Sequence, residues 1–492
     1  MKFSVQFLIT ALSKSTLHLS IFILSVILSR FFTKDDYGTY LHVQLITNLS
    51  VWAFLLGIPH GIYYFLPKAK SAKIYVLSIL SLISGISVLV STCIFYNANG
   101  LGNFLSNPRI EDLSYVLLFM ILFKIPLTIF EPLMISVGRV KQFASVELMF
   151  NLSFFFAVLI PVLLDSSMIE ILWWLVGLYS LHAMVVIIIS LFIAFTYKGN
   201  EEQHSPFTLK DQVRYSLPLG LSMNVLELSR YVDKLVVSNQ SSAEDYAMYT
   251  RGAMEIPVIG IIANTLDNLH MPNFVRYYKE NNISELMSVW HTSVRFMAAF
   301  IYPCCLFLIV SAPLLIPAIF SDKYIGSVII FQAYTIGMLS RISTFDIILR
   351  VIGKTKIILV AALMSIVVNI ALTYGLMALW GLIGAPIATV ITLFFMRLTY
   401  LIAITHHFKI KLSQVFPWAS LFKSLLSACI STLPVFYIYS LTLDVNVWIH
   451  LLLMAIAFSI SYLVLMKYLN GLNEEDKSSL KNILPKKLEW II

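Results

Sequence analysis

The sequence predicts an all-α polytopic membrane protein with about fourteen transmembrane helices, and three observations predict it. Of 492 residues, 59% are hydrophobic and only 12% charged, with a mean hydropathy of +0.85. A soluble globular chain is nearer about 45–50% apolar and about 25% charged. Apolar runs of eighteen or more residues recur along the chain, long enough as helices to cross a hydrocarbon core about 30 Å thick. Runs such as SYVLLFMILFKIPLTIF (114–130) and AMVVIIISLFIAFTY (183–197) do not alternate apolar with polar residues as barrel strands do. Their backbone groups are therefore satisfied within helices.

Taken in order, the expected spans are 5–29, 41–65, 74–96, 113–135, 143–164, 171–196, 212–238, 246–270, 290–318, 325–349, 357–377, 382–404, 421–440 and 447–468. The first lies within MKFSVQFLITALSKSTLHLSIFILSVILSR, which lacks a small-residue cleavage pattern and is interrupted by Lys14 and His18. It reads as a retained first span rather than a secretion signal. The even-numbered loops carry PKAKSAK, GRVKQ, YKGNEEQHSPFTLKDQ, RYYKENN, GKTK and HHFKIKLSQ, whereas the odd loops offer little beyond Lys34, Arg109 and Lys323. Basic residues concentrate on the cytoplasmic side of membrane proteins, so both termini are expected in the cytoplasm. The same asymmetry accounts for the formal net charge of +8 without invoking nucleic acid. The tail, 471–492, reads either as a surface amphipathic helix or as a solvated segment. Cys93, Cys304, Cys305 and Cys429 all lie in apolar segments without a C-x-x-C pair, as packed thiols do.

Three short matches recur at an offset of about 205 to 215 residues: DDYGTY (35–40) with EDYAMY (244–249), GRVK (138–141) with GKTK (353–356), and Pro67 with Pro272. Each maps one span onto the sixth after it. An even shift keeps the direction of insertion, so the expected architecture is two parallel six-helix bundles related by an axis along the membrane normal, facing each other across a cleft. The expected boundaries are 1–200 and 201–405 for the bundles, 406–470 for two additional helices and 471–492 for a cytoplasmic tail.

Charges within spans identify the candidate site, because a charge at mid-bilayer costs about 2.5–3.5 kcal/mol and usually faces a bundle interior or water. At 100° per residue Ser216, Gly220, Asn224, Glu227, Arg230, Tyr231, Lys234 and Ser238 fall on one stripe of span 7. Asp233 lies three residues from Arg230. Gln6, Thr10, Lys14, His18, Ser25 and Ser29 share one face of span 1, its repeat partner. Arg251 and Glu255 stand one turn apart in span 8, and Arg295, Arg341 and Asp346 are further candidates. Two readings stand together. Lys14, His18, Arg230, Lys234, Arg251 and Arg341 line a wet cavity for an anionic substrate, with Glu227, Asp233, Glu255 and Asp346 as candidates to couple transport to a proton or sodium gradient. Alternatively, pairs such as Arg230 with Asp233 and Arg251 with Glu255 lock helices together. Glu131 and Glu147 flank GRVKQ and read as its partners. Prolines within or at the ends of many spans suit bending.

No cofactor chemistry is evident. GKT at 353–355 lacks the upstream glycine of a phosphate-binding loop, and neither H-E-x-x-H nor paired-cysteine spacing occurs.

Three blocks resemble a known group: LSRFFTKDDYGTYLHVQLITNLSVWAFLLGIPHGIYYFLP (28–67), SLPLGLSMNVLELSRYVDKLVVSNQ with the following Tyr246 to Pro257, and RVIGKTK followed by VVNIALTYGLMALWGLIGAPIAT. The chain resembles polysaccharide-lipid flippases of the O-antigen type, in the multidrug/oligosaccharidyl-lipid/polysaccharide exporter superfamily, over about residues 5–404. The resemblance implies a MATE-like fold in the bacterial inner membrane. It also implies translocation of an undecaprenyl-diphosphate-linked oligosaccharide to the periplasmic leaflet, with membrane lipids and polysaccharide-assembly proteins as partners. The related lipid II flippases use arginines in the first, second and eighth helices. Here span 1 offers Lys14 and His18, span 2 only His42 and His60, and span 8 Arg251, which makes a peptidoglycan precursor the less expected substrate. A polymerase or ligase would carry a large periplasmic loop, which the expected spans do not leave room for, and an exporter of cationic drugs would favour an acidic cavity.

Overall fold

The computed structural model describes residues 3–197, 209–254, 260, 270–343, 345–441, 445–469 and 471, with side chains from Thr16 onward. Among these residues nine helices are long and apolar enough to cross a membrane, or ten when one bent pair counts as a span. One of the nine, Thr355–Phe408, covers two expected spans. The chain is a multi-pass helical membrane protein. It divides into two compact units, Met1–Ala247 and Met248–Ile492.

The first unit runs α1 (Phe3–Phe31), α2 (Lys34–Leu55), α3 (Ile58–Phe65), α4 (Ala72–Tyr96), α5 (Ala98–Phe104), α6 (Arg109–Asp112), α7 (Ser114–Leu127), α8 (Phe130–Ser136), α9 (Val140–Leu163), α10 (Met168–Thr196), α11 (Leu209–Leu228), α12 (Val232–Gln240) and the start of α13 (Ala243–Gly252). Its core gathers the inner faces of α4, α7 and α10, with Tyr75, Ile79, Ile83, Ile121, Ile125 and Val186 nearly inaccessible.

The second expected span is bent by 46°. Leu56 (φ 44°) and Gly57 (φ 72°) both take left-handed backbone there, ending α2 and redirecting the chain into α3. Pro59 then begins the new helix, where its missing N–H costs no bond. The bend sets GIPHG (57–61) against SLPLG (216–220) of α11. A Cβ at Gly220 would overlap the Leu56 carbonyl, and one at Gly61 would overlap Gln212 and Ser216. Small residues four apart on both helices let backbones approach where lipid supplies no hydrophobic drive. Gln212 completes the seam: its Nε2 donates to the Ile58 carbonyl at 2.9 Å and its Oε1 accepts from Tyr75 Oη at 3.1 Å.

The second unit contains the rest of α13, then α14 (Ile283–Phe320), α15 (Ser327–Met338), α16 (Phe345–Val351), α17 (Thr355–Trp380), α18 (Gly384–Phe408), α19 (Leu412–Val415), α20 (Trp418–Ile430), α21 (Thr432–Ser440) and α22 (Val447–Tyr468). Gly381 (φ 64°) turns α17 back into α18, and Gly384 sits against the Leu376 carbonyl, where a side chain has no room. Asn369 of α17 donates to Thr389 and Thr392 of α18, both at 3.4 Å. Helices α20 and α22 pack on α14. Tyr462 Oη donates to the Ala299 carbonyl at 2.9 Å, and Ser424 Oγ to the Ala298 carbonyl at 3.3 Å.

Candidate functional site

The first unit holds a cavity of about 350 Å³ at the bend of the second span. Trp52 of α2, His60 and Tyr63 of α3, Thr128 and Glu131 from the junction of α7 with α8, and Asn224 of α11 contribute its polar and aromatic lining. The sequence places them there through two chain breaks. Leu56–Gly57 turns α3 so that His60 and Tyr63 share a wall, their rings 6.3 Å apart. Pro126 closes α7, and Thr128 and Ile129 form the joint before α8, whose first turn carries Glu131. Asn224 Nδ2 donates to the Ala53 carbonyl at 3.4 Å.

One turn before Thr128 on α7 stands Lys124, and one turn before Trp52 on α2 stands Asn48. The Lys124 ammonium donates to Asn48 Oδ1 at 2.7 Å and lies 5.3 Å from the centre of the Tyr179 ring. No carboxylate pairs with it among the described residues. Sequence reasoning missed Lys124 because one lysine hardly dents the hydropathy of its run. Glu131 was read as a loop partner.

A larger groove of about 820 Å³ runs between α9 and α10, lined by Phe156, Ile160, Trp173 and Trp174. Its one carboxylate, Glu170, caps its own helix, accepting from Ser167 N at 2.7 Å. That apolar groove offers little chemistry beside the smaller polar cavity.

The residues expected from the sequence fall as follows. Span 7 is not one helix: Arg230 N donates to the Glu227 carbonyl at 3.0 Å and Tyr231 N to the Leu228 carbonyl at 2.9 Å, a tightened turn that separates α11 from α12. The single stripe drawn through this span assumed an unbroken helix. Its first part, Ser216 and Gly220, is the packing seam against α3. Its last residue, Ser238, is buried with Oγ 2.6 Å from His42 Nε2. His42 also meets Asn107 Nδ2 at 3.0 Å through Nδ1 and stacks on Tyr246 at 4.3 Å. The middle of the stripe remains polar and more open. The Arg230 guanidinium lies 3.5 Å from the Glu227 carboxylate. Asp233 Oδ1 accepts from Lys234 N at 2.8 Å, and the Lys234 ammonium lies 5.4 Å from the Tyr231 ring centre. His18 is exposed on α1. The Lys14 side chain and all of Glu255 lie outside the described residues, as does the 472–492 tail.

In the second unit Arg251 is buried, its guanidinium 5.5 Å from the Phe320 ring centre. Asp346 pairs with Arg350 at 2.6 Å, one turn along α16. Arg341 is half-buried in the short 3-10 turn Leu339–Ile342, between α15 and α16. Arg295 is buried and donates to Thr292 Oγ1 at 3.0 Å.

The breaks in spans 4 and 10 are one feature seen twice. TIFEPLMISVGRVK (128–141) aligns with STFDIILRVIGKTK (343–356) without a gap, a longer match than its last four residues. It sets Phe130 on Phe345 and Glu131 on Asp346. Phe130, Leu133 and Met134 are buried, as are Phe345, Ile348 and Leu349.

Comparison with known proteins fits this architecture. A solved structure titled lipid II flippase MurJ, inward closed conformation, superposes with a TM-score of 0.71 at 16% identity, covering 94% of this chain and 98% of that one. An inward-facing multidrug resistance MATE family transporter of the MOP superfamily superposes with a TM-score of 0.60 at 16% identity, covering 79% and 94%. No curated protein matches the sequence. At these identities the structural likenesses establish the fold. The family model described as polysaccharide biosynthesis protein matches residues 27–329, well over half of the chain and all of the cavity just described. This chain therefore belongs to the polysaccharide biosynthesis protein family, built on the helical fold it shares with those transporters.

Proposed function

We propose that this protein moves an undecaprenyl-diphosphate-linked oligosaccharide, a surface polysaccharide repeat unit of the O-antigen type, from the cytoplasmic to the periplasmic leaflet of the bacterial inner membrane by alternating access. The observation that carries this reading is Lys124. It lies halfway along a membrane-spanning segment with an amide and an aromatic ring for neighbours. A lone cation there costs several kcal/mol in hydrocarbon and marks a place where an anion or water is met. A diphosphate or an acidic sugar is such an anion. Membership of a polysaccharide biosynthesis family supplies the pathway, and a fold shared with a solved lipid II flippase supplies the type of work.

In this reading Lys14, His18, Arg230, Lys234, Arg251 and Arg341 add to the positive field met by the head group. Glu227, Asp233, Glu255 and Asp346 are the carboxylates available to couple the cycle to a proton or sodium gradient. The lipid tail stays in the bilayer. Both termini face the cytoplasm, and partners are membrane lipids and other polysaccharide-assembly proteins. A cationic-drug exporter fits less well, because Lys124, which no carboxylate among the described residues neutralises, repels its cargo.

The test is deletion of the gene followed by extraction of the lipid-linked glycans. A sugar-bearing undecaprenyl diphosphate should accumulate on the cytoplasmic face, with loss of surface polymer, and both should be reversed by the intact gene. Normal polymer with no accumulated intermediate overturns the reading.

A further inference from the structure

We infer that the cavity at the bend of the second span is a sugar-binding subsite, reading the glycan of the substrate rather than its diphosphate. The inference rests on the flippase reading and adds what the cavity itself selects.

The composition of its wall is the main argument. Trp52 and Tyr63 keep 41% and 38% of their surface accessible and both line the cavity. Aromatic faces present electron-rich surface to polarised C–H groups such as those of a pyranose ring. Around them stand a carboxylate, an amide, a hydroxyl and an imidazole: Glu131, Asn224, Thr128 and His60. That set supplies both acceptors and donors, which suits the vicinal hydroxyls of a sugar. A diphosphate, itself acceptor-only, would find no donor in the Glu131 carboxylate. Size agrees: about 350 Å³ is at the small end of ligand sites, which run from roughly 300 to 1,000 Å³, room for one or two sugar rings and not for an isoprenoid tail.

Lys124 stands one turn before Thr128, so an ammonium and the cavity wall follow one another along the same span. Glu131 precedes Gly138 by seven residues, about 10 Å of helix. The subsite therefore lies near the basic-loop end of span 4, the end expected to load substrate.

The test uses the purified full-length chain with two probes, undecaprenyl diphosphate and undecaprenyl diphosphate bearing one N-acetylglucosamine, and binding read by native mass spectrometry. The intact protein should bind the glycosylated probe about tenfold tighter. Trp52→Ala and, separately, Glu131→Ala should abolish that preference while leaving affinity for the bare lipid within about twofold. Trp52→Phe should restore most of it. Lys124→Met should weaken both probes alike. Equal binding of both probes by the intact protein, or equal loss of both in Trp52→Ala and Glu131→Ala, overturns the subsite. Binding of neither probe by the intact protein overturns the flippase reading itself, and the subsite with it.

Discussion

Gly138 and Gly353 turn the chain in the same way. Their φ angles are 76° and 72°. Each is followed by a basic residue with nearly identical backbone, Arg139 at φ −93°, ψ 44° and Lys354 at φ −90°, ψ 40°. The N–H of that residue reaches the carbonyl five positions back, Met134 at 2.9 Å and Leu349 at 2.8 Å. This is the hydrogen-bond pattern of a Schellman turn, which ends a helix with one left-handed residue. Seven residues upstream, Glu131 and Asp346 occupy the first turn of equivalent half-helices. The repeat is therefore written in backbone geometry as well as in letters.

Equivalent turns should respond equally to the same change. Left-handed backbone costs a residue with a Cβ about 1–2 kcal/mol relative to glycine. Gly138→Ala and Gly353→Ala should lower the detergent-solubilised melting temperature by similar amounts, and the Asn variants should do so less. A large drop in one and none in the other would show that the turns are not counterparts.

How much of this was legible depends on whether the cause was local. The helical spans follow from composition and length, since hydrocarbon leaves the backbone no other choice. The Gly138 and Gly353 turns were visible as GRVK and GKTK because glycine punctuates locally. The polar stripe of span 7 was only partly readable. Ser216 and Gly220 look like cavity residues in projection, but Gly57 and Gly61 on another helix turn that face into a packing seam. The break at Ser229–Tyr231 carries no Gly or Pro to announce it. Lys124 stayed hidden for the opposite reason: its meaning lies in Asn48 and Tyr179, distant in sequence.

The seam between α3 and α11 makes a steric prediction. Gly220 backs onto the Leu56 carbonyl, so an added side chain meets backbone rather than a yielding rotamer. Gly220→Val should sharply reduce folded protein in membranes, measured by fluorescence-detected size exclusion. Gly85 has open space around its Cβ position, so Gly85→Val serves as the control and should leave folded yield near that of the intact protein. Equal yields for both variants would mean that the close approach is not needed.

Arg109 makes an electrostatic one. It opens the short helix α6, its Nη1 2.6 Å from Asp35 and its Nη2 2.9 Å from Asp36. Burial works against its charge, but the hydrogen bonds and charges of Asp36 and Asp35 outweigh that and hold its pKa above the ordinary arginine value. A base raised in the folded state contributes stability at low pH that is lost only as pH rises through its folded pKa. For Arg109 that window lies above the working range. All three side chains are about a third or more exposed, so the clamp is worth no more than about 1 kcal/mol. Arg109→Gln should lower the melting temperature slightly, by the same amount at pH 6 and pH 9, and the difference should shrink in high salt. A loss that grows steeply between those pH values would contradict this account.

Lys124 makes the prediction closest to function. Its ammonium keeps one bond to Asn48 and an aromatic neighbour in Tyr179. An apolar replacement of similar length relieves the cost of a charge at mid-bilayer, so Lys124→Met should be at least as stable as the intact protein. If the charge serves only packing, transport should survive the change. If it meets an anion, surface polysaccharide should fall by tenfold or more at equal membrane abundance. Lys124→Arg, which keeps the charge but alters its shape, should retain part of the activity. Asn48→Leu removes the bond that holds the ammonium in place while leaving the charge, and should fall between the two. Stability that rises while transport is lost is the signature of a residue kept for its charge and not for the fold, and a Met variant with full polymer on the cell surface would remove Lys124 from the site.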